Sequence, residues 1–149
     1  MSGFEIGTDG PQRILVGIDG SETSLRALAY AWGLARRQGS KLVFVFAATS
    51  NTITSFVPDA TASAIMAGHE VAADLRERVA KISETIHPPV PYVFRIEHGD
   101  AAGVLIRVAD EVRADAVVVG ASVQAGHRIM GSVAIRLVRA GRWPVTVVP

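Results

Sequence analysis

Residues 114–132 read Ala-Asp-Ala-Val-Val-Val-Gly-Ala-Ser-Val-Gln-Ala-Gly-His-Arg-Ile-Met-Gly-Ser. The apolar run Ala114 to Val119 has the branched composition of a strand buried on both faces. A glycine-rich stretch, Gly120 to Ser132, follows it. The next periodic segment predicts a helix from about Met130 to Ala140, with Val133, Ala134 and Leu137 on one face. A buried strand that enters a helix through a glycine-containing loop is the unit from which α/β folds with parallel sheets are built. The same geometry aims backbone N–H groups and the positive end of a helix dipole at one point, where an anion can sit.

Working upstream, the same unit recurs. Arg13 to Ile18 is a branched apolar run that ends at Asp19-Gly20-Ser21. Ser21 fits an N-cap, and Leu25, Leu28, Ala29, Trp32 and Ala35 form one face of the helix it opens. Arg36, Arg37 and Gly39 mark that helix's end. Lys41 to Ala47 is a second strand, followed by a polar stretch, Ala48 to Ala60. A long helix is expected over about Thr61 to Ile86, with Leu75, Val79, Ile82 and Ile86 inward and His87-Pro88-Pro89 as its stop. Pro91 to Glu97 opens on a proline and carries more polar residues, so it reads as an edge strand. Asp100 fits the N-cap of a helix that buries Leu105, Val108, Ala109 and Val112. Downstream of the opening stretch, Gly141 ends the last helix, and Pro144 to Val148 is a final strand. The order β-α-β-α-β-α-β-α-β predicts a single-domain five-stranded parallel sheet with helices on both faces, over residues 13–149, behind a flexible tail of residues 1–12.

Bulk properties narrow the function. The 149 residues carry a net charge of +1 and only 19% charged residues, which gives no reason to expect nucleic acid or a polybasic membrane contact. The absence of cysteine excludes disulfides, thiolate chemistry and cysteine zinc sites. No apolar run reaches the ~18 residues of a membrane span, and residues 1–12 hold no apolar core of a secretory leader, so a cytoplasmic location is expected.

Ligands of open parallel sheets bind beyond the carboxyl ends of the strands, where strand order reverses. Asp19-Gly20-Ser21, Ala47 to Asn51 and Gly120 to Ser132 emerge there, and the first and last of these are expected to be neighbours. Gly120, Gly126 and Gly131 permit close backbone approach. Ser122 lies in the same loop. Ser132 either donates to a ligand or caps the helix, and His127 and Arg128 add positive charge. The alternative is an irregular turn with no ligand. Asp19 either accepts from an adenine amine or a ribose hydroxyl, or binds its own backbone as a turn former. Gly126 to Ser132 resembles a P-loop but lacks its lysine, so a Walker-type NTPase is not expected. No nucleophile, base and orienting acid come together in the pattern, so no catalytic residue is assigned and no enzyme is expected; a weak ATPase is the remaining enzymatic reading.

Ile14-Leu-Val-Gly-Ile-Asp-Gly-Ser21, with Ser24-Leu-Arg-Ala-Leu28, resembles the opening of the universal stress protein family. Ala114 to Gly120, then Gly131-Ser132-Val133 and Pro144 to Val148, resembles its end. The resemblance implies a Rossmann-like sheet of the adenine nucleotide alpha hydrolase-like kind, in the order 3-2-1-4-5. It implies a homodimer through the last strand, Pro144 to Val148. It also implies ATP or AMP across strands one and four, with Mg2+ only alongside ATP. Asp19 and the backbone near Ala47 would meet adenine and ribose, and Gly120, Gly131 and Ser132, with Gly126 as a substitute glycine, the phosphates; Gly20, Ser21, Ser122, His127 and Arg128 complete the expected nucleotide-binding residues. In the family pattern the phosphate loop is Gly-x2-Gly-x9-Gly-Ser/Thr. Here Val123 replaces the second glycine, and ten residues separate Gly120 from Gly131, two fewer than the pattern requires. The family also contains members that lack the motif and do not hold ATP. The alternative implied function is therefore a dimeric stress-response interaction module.

Overall fold

The computed structural model describes residues 10–48, 58–124, 127–129 and 131–149, with backbone alone for 58–67, 123–124 and 127–129. The elements are β1 (Arg13–Ile18), α1 (Glu22–Gln38), β2 (Lys41–Ala48), α2 (Pro58–Thr85), β3 (Tyr92–His98), α3 (Ala101–Val112), β4 (Ala116–Gly120), β5 (Ser122–Gln124), β6 (His127–Ile129), α4 (Ser132–Ala140) and β7 (Val145–Val148). The main sheet runs β3-β2-β1-β4-β7, parallel at every pairing, which is the expected order with β7 as the fifth strand. β3 is at one edge, as its proline and polar content predicted.

Period-two alternation divides the core between the two faces of the sheet. Ile14, Val16 and Ile18 of β1 join Leu42, Phe44 and Phe46 of β2 under α1 and α2. Leu15, Val43, Val45, Val117 and Val119 point the other way, under α3 and α4. Each of these side chains is buried, at ~1.5–3 kcal/mol of transfer free energy apiece. Trp32, Phe44 and Tyr92 pack with ring centres 5.3 to 5.9 Å apart on the first face.

The predicted caps hold. The Ser21 side chain accepts from the Ser24 N–H, and Asp100 from the Gly103 N–H. Gly39 and Gly141 end α1 and α4 in the left-handed conformation that glycine adopts without Cβ strain. Three side-chain expectations change. Ala29 is exposed, and α1 turns Ala27 and Ala31 inward beside Leu28, Trp32 and Ala35, because small residues let the helix lie close to the flat sheet. Ile82 is 41% exposed, because α1 and α2 leave a groove between them that it borders. Ser132 is the first residue of α4 rather than its cap; Gly131 occupies the N-cap and offers no side-chain hydrogen bond.

The N-terminal region described is tied to the sheet. The Gln12 and Arg13 N–H groups both donate to the Asp115 carboxylate, at 3.0 and 2.9 Å, and Lys41 N–H donates to the Gln12 carbonyl.

A candidate nucleotide cleft at the carboxyl ends of β1 and β4

β1 ends in a turn that its sequence dictates. Gly20 sits at φ +87°, which an L side chain rarely adopts. Asp19 Oδ1 accepts from the Ser21 N–H at 2.8 Å, so the carboxylate does form the turn by binding its own backbone. Among the described residues its second oxygen takes no hydrogen bond and remains an acceptor. Ser24 is buried, and its hydroxyl donates to the Ser21 carbonyl at 2.9 Å, tightening the first turn of α1.

The exit of β4 is pinned to that same turn. Thr23 Oγ1 donates to the Ala121 carbonyl at 2.6 Å, from a buried position. A Cβ at Gly120 would lie 2.5 Å from the Thr23 carbonyl carbon and 2.6 Å from the Ser24 nitrogen. Both are backbone atoms that cannot move aside. Gly120 is thus required for the close approach of α1 to β4, whatever else it does. The loops after strands one and four are neighbours, as the α/β rule predicted.

Beyond them lies a cleft of about 920 Å³. Asp19, Ser21, Ala47, Gly120 and Ser122 line it, as the sequence predicted. Gly17 and Leu105 form part of it too, and a Cβ at Gly17 would meet Leu105 Cδ1 at 2.9 Å. Among the lining residues that sequence reasoning did not assign to a site, Glu22, Thr23 and Val133 bear most on its chemistry. Thr23 had a usable signal, a hydroxyl in the first helical turn after Asp-Gly-Ser. Leu105 and Ala101 had none, because only the topology brings α3 beneath this mouth. Glu22 is paired with Arg26 at 2.6 Å. That leaves Asp19, among the described residues, as the unpaired carboxylate of one wall, which suits hydroxyl and amine donors. The other includes Val133, in the first turn of α4, whose opening backbone N–H groups lack intrahelical partners and receive no side-chain acceptor from Gly131. That wall suits an anion.

The loop between them is not the open glycine cradle expected. β5 and β6 pair antiparallel, Ser122 with Ile129, Val123 with Arg128 and Gln124 with His127. The ladder is a physical alternative to a phosphate, since it occupies some of the backbone groups an anion would need. The side chains of His127 and Arg128, and Gly126 altogether, lie outside the described residues. Gly20, Gly131 and Ser132 are not part of the cleft lining. Gly20 shapes the turn behind it. Gly131 makes room for Ser122, whose hydroxyl would sit 1.9 Å from a Cβ placed there. Ser132 is exposed on α4. Among the described residues, no group of three or more histidine, aspartate or glutamate side chains gathers as a metal cage. No described helix is long and apolar enough to cross a membrane.

The fold and this cleft can be set beside known proteins. The model of the universal stress protein family matches residues 11–149. No curated protein matches the chain. Among solved structures, the chain is similar to the universal stress protein UspA from Lactobacillus plantarum, with a TM-score of 0.82 and 21% identity over 93% of this chain and 97% of that one. It is similar to a universal stress protein family member from Burkholderia pseudomallei, with a TM-score of 0.68 and 28% identity over 97% and 99%. A universal stress protein in complex with cAMP aligns with a TM-score of 0.59 and 27% identity over 93% and 97%. With a family match that spans every described strand and helix, the chain belongs to the universal stress protein family.

Proposed function

We propose that the cleft binds an adenine nucleotide (ATP, ADP or AMP) and that the protein acts as a cytoplasmic, regulatory stress protein with little or no turnover. The observation that carries this reading is the asymmetric cleft. A free oxygen of Asp19 stands on one side, for ribose or adenine donors, and Val133 brings the first turn of α4 to the other, for phosphate. The complex of a family relative with cAMP supports an adenine ligand. Mg2+ would enter only with ATP, carried by the phosphates, since no protein cage gathers among the described residues. A homodimer through Pro144 to Val148 belongs to the same proposal.

One observation favours a second reading. The β5–β6 ladder and the two-residue shortening occupy the place of the open phosphate loop. On that reading the protein is a dimeric interaction module that does not hold ATP.

Calorimetry with ATP, ADP and AMP, with and without Mg2+, separates the two. Nucleotide binding predicts saturable heat with one ligand per chain, weakened by Asp19→Ala. Mass spectrometry of small molecules released from the fresh protein should then find an adenine nucleotide. No heat and no thermal shift at millimolar nucleotide would leave the interaction module standing. Phosphate release from ATP that disappears in Asp19→Ala would overturn the absence of turnover.

A further inference from the structure

We propose that His69 and His98 form a two-histidine site for a divalent transition-metal ion of the zinc class, apart from the nucleotide cleft. His69 lies in α2 and His98 is the last residue of β3. Their rings come together across 29 positions of sequence, with centres 5.6 Å apart and planes inclined at 62°. Imidazole nitrogen is the ligand of choice for zinc, copper and nickel, and a poor one for magnesium or calcium.

The spacing fits a shared ion. A Zn–N bond of ~2.1 Å and a ring radius of roughly 1.1 Å put each ring centre about 3.2 Å from the metal, so two rings at a tetrahedral angle span about 5.2 Å. The observed separation differs from this by a few tenths of an ångström, and rotation of two exposed side chains can close it and turn one nitrogen of each ring to the ion. Exposure also leaves room for the waters that complete four-coordination. The carboxylates next to His98 in sequence are already engaged. Glu97 is held by Arg95 and Arg107, and Asp100 by the Gly103 N–H and Arg136. The ion would thus have two protein ligands and an open remainder, which makes the site weaker than a closed structural zinc site.

Its position gives it a consequence. His98 pairs in register with Ala48, and the Gly99 N–H donates to the Ala48 carbonyl at 3.2 Å. Ala48 follows Ala47, which lines the cleft. An ion on His69 and His98 would tie α2 to this strand end and brace one wall of the cleft.

The test uses the full chain without an affinity tag, free of nucleotide, titrated with Zn2+. One ion per chain is expected, with a rise in Tm, because the two ligands meet only in the folded state. His69→Ala and His98→Ala should each weaken binding at least ~10-fold, since loss of even an outer-shell partner costs that much. The loss in the double variant should be smaller than the two single losses combined, because either substitution already breaks the shared site. His87→Ala should bind like the parent, and Mg2+ should not compete. Circular dichroism checks that the variants fold. Absence of binding, or binding unchanged in both single variants, overturns the proposal. So does a pair of independent ions of which each variant loses one. In those cases the two rings make only an edge-to-face packing contact.

Discussion

Glycine at position 120 shows how a residue can be noticed for one reason and required for another. The sequence marks Gly120 as a phosphate-loop glycine; the structure gives it a packing role, because a Cβ would enter the backbone of Thr23 and Ser24. Gly120→Ala should therefore destabilise the fold with or without nucleotide, by ~1–3 kcal/mol in urea unfolding, the usual cost of overpacking. Gly33→Ala, in the interior of α1 with only the Arg37 guanidinium near at 3.8 Å, should do the opposite and stabilise by ~0.5–1 kcal/mol. A similar loss in both variants would refute the packing argument. Thr23→Val removes the donor to the buried Ala121 carbonyl and should cost ~1–3 kcal/mol in the same assay. Asp19 was readable as either turn former or ligand acceptor; the structure shows the turn bond, made by one oxygen, and the other has no hydrogen bond among the described residues. The hydroxyl of Thr23 after Asp-Gly-Ser was a local signal for the site, but its partner was not legible, because nothing local to residue 23 reveals that residue 121 lies against it.

Helices and strands were legible wherever hydrophobic period and caps agreed. Ser21, Asp100, Gly39 and Gly141 mark boundaries by local chemistry, and the structure keeps each. The β5–β6 ladder was not legible, because three-residue strands are too short to establish alternation against the surrounding glycines. Also illegible was the ionic seam between β3 and α3, since four charges on two elements look like solvated faces until the fold aligns them. Arg95 bonds Glu97 and Glu111, and Arg107 bonds the same two carboxylates. The Arg95 guanidinium first, and Arg107 second, hold Glu97 and Glu111 below the ordinary carboxylate range. Asp100 is lowered too, by the Gly103 N–H foremost and then Arg136. A carboxylate whose folded value is depressed adds stability above its unfolded value, and that stability is lost as pH falls through the folded value. Thermal stability should therefore decline on acidification below about pH 4.5, where unfolded carboxylates begin to take up protons. Glu97→Gln should flatten this decline and lower Tm at pH 7. Salt at about 0.5 M should shrink the difference, since the seam is partly exposed. An acid limb identical in the variant and the parent would show that the seam is energetically silent.

At the scale of the molecule, alternation of strands and helices predicted a parallel sheet, and right-handed crossovers limit its order, but several orders satisfy both constraints. The family resemblance chose 3-2-1-4-5, which puts β1 and β4 side by side and opens the cleft at their ends. That order also leaves β7 at an edge, with β4 as its one partner in the sheet. The Val117 N–H takes the Pro144 carbonyl and the Ala121 N–H takes the Val148 carbonyl. Alternation along a parallel ladder then directs the backbone groups of Thr146 toward β4 and those of Val145 and Val147 toward the free edge. An apolar edge of this kind invites pairing with another chain. α4 packs beside β7 and leaves Val138 52% exposed, which extends the apolar surface next to that edge. A dimer built there should lose affinity in Val147→Pro, which removes a free-edge donor and spares every bond to β4. Sedimentation equilibrium should show the parent as a dimer and the variant shifted to monomer, with far-UV circular dichroism unchanged. A parent that sediments as a monomer at high concentration, or a variant that dimerises as tightly as the parent, would exclude the β7 edge as the contact.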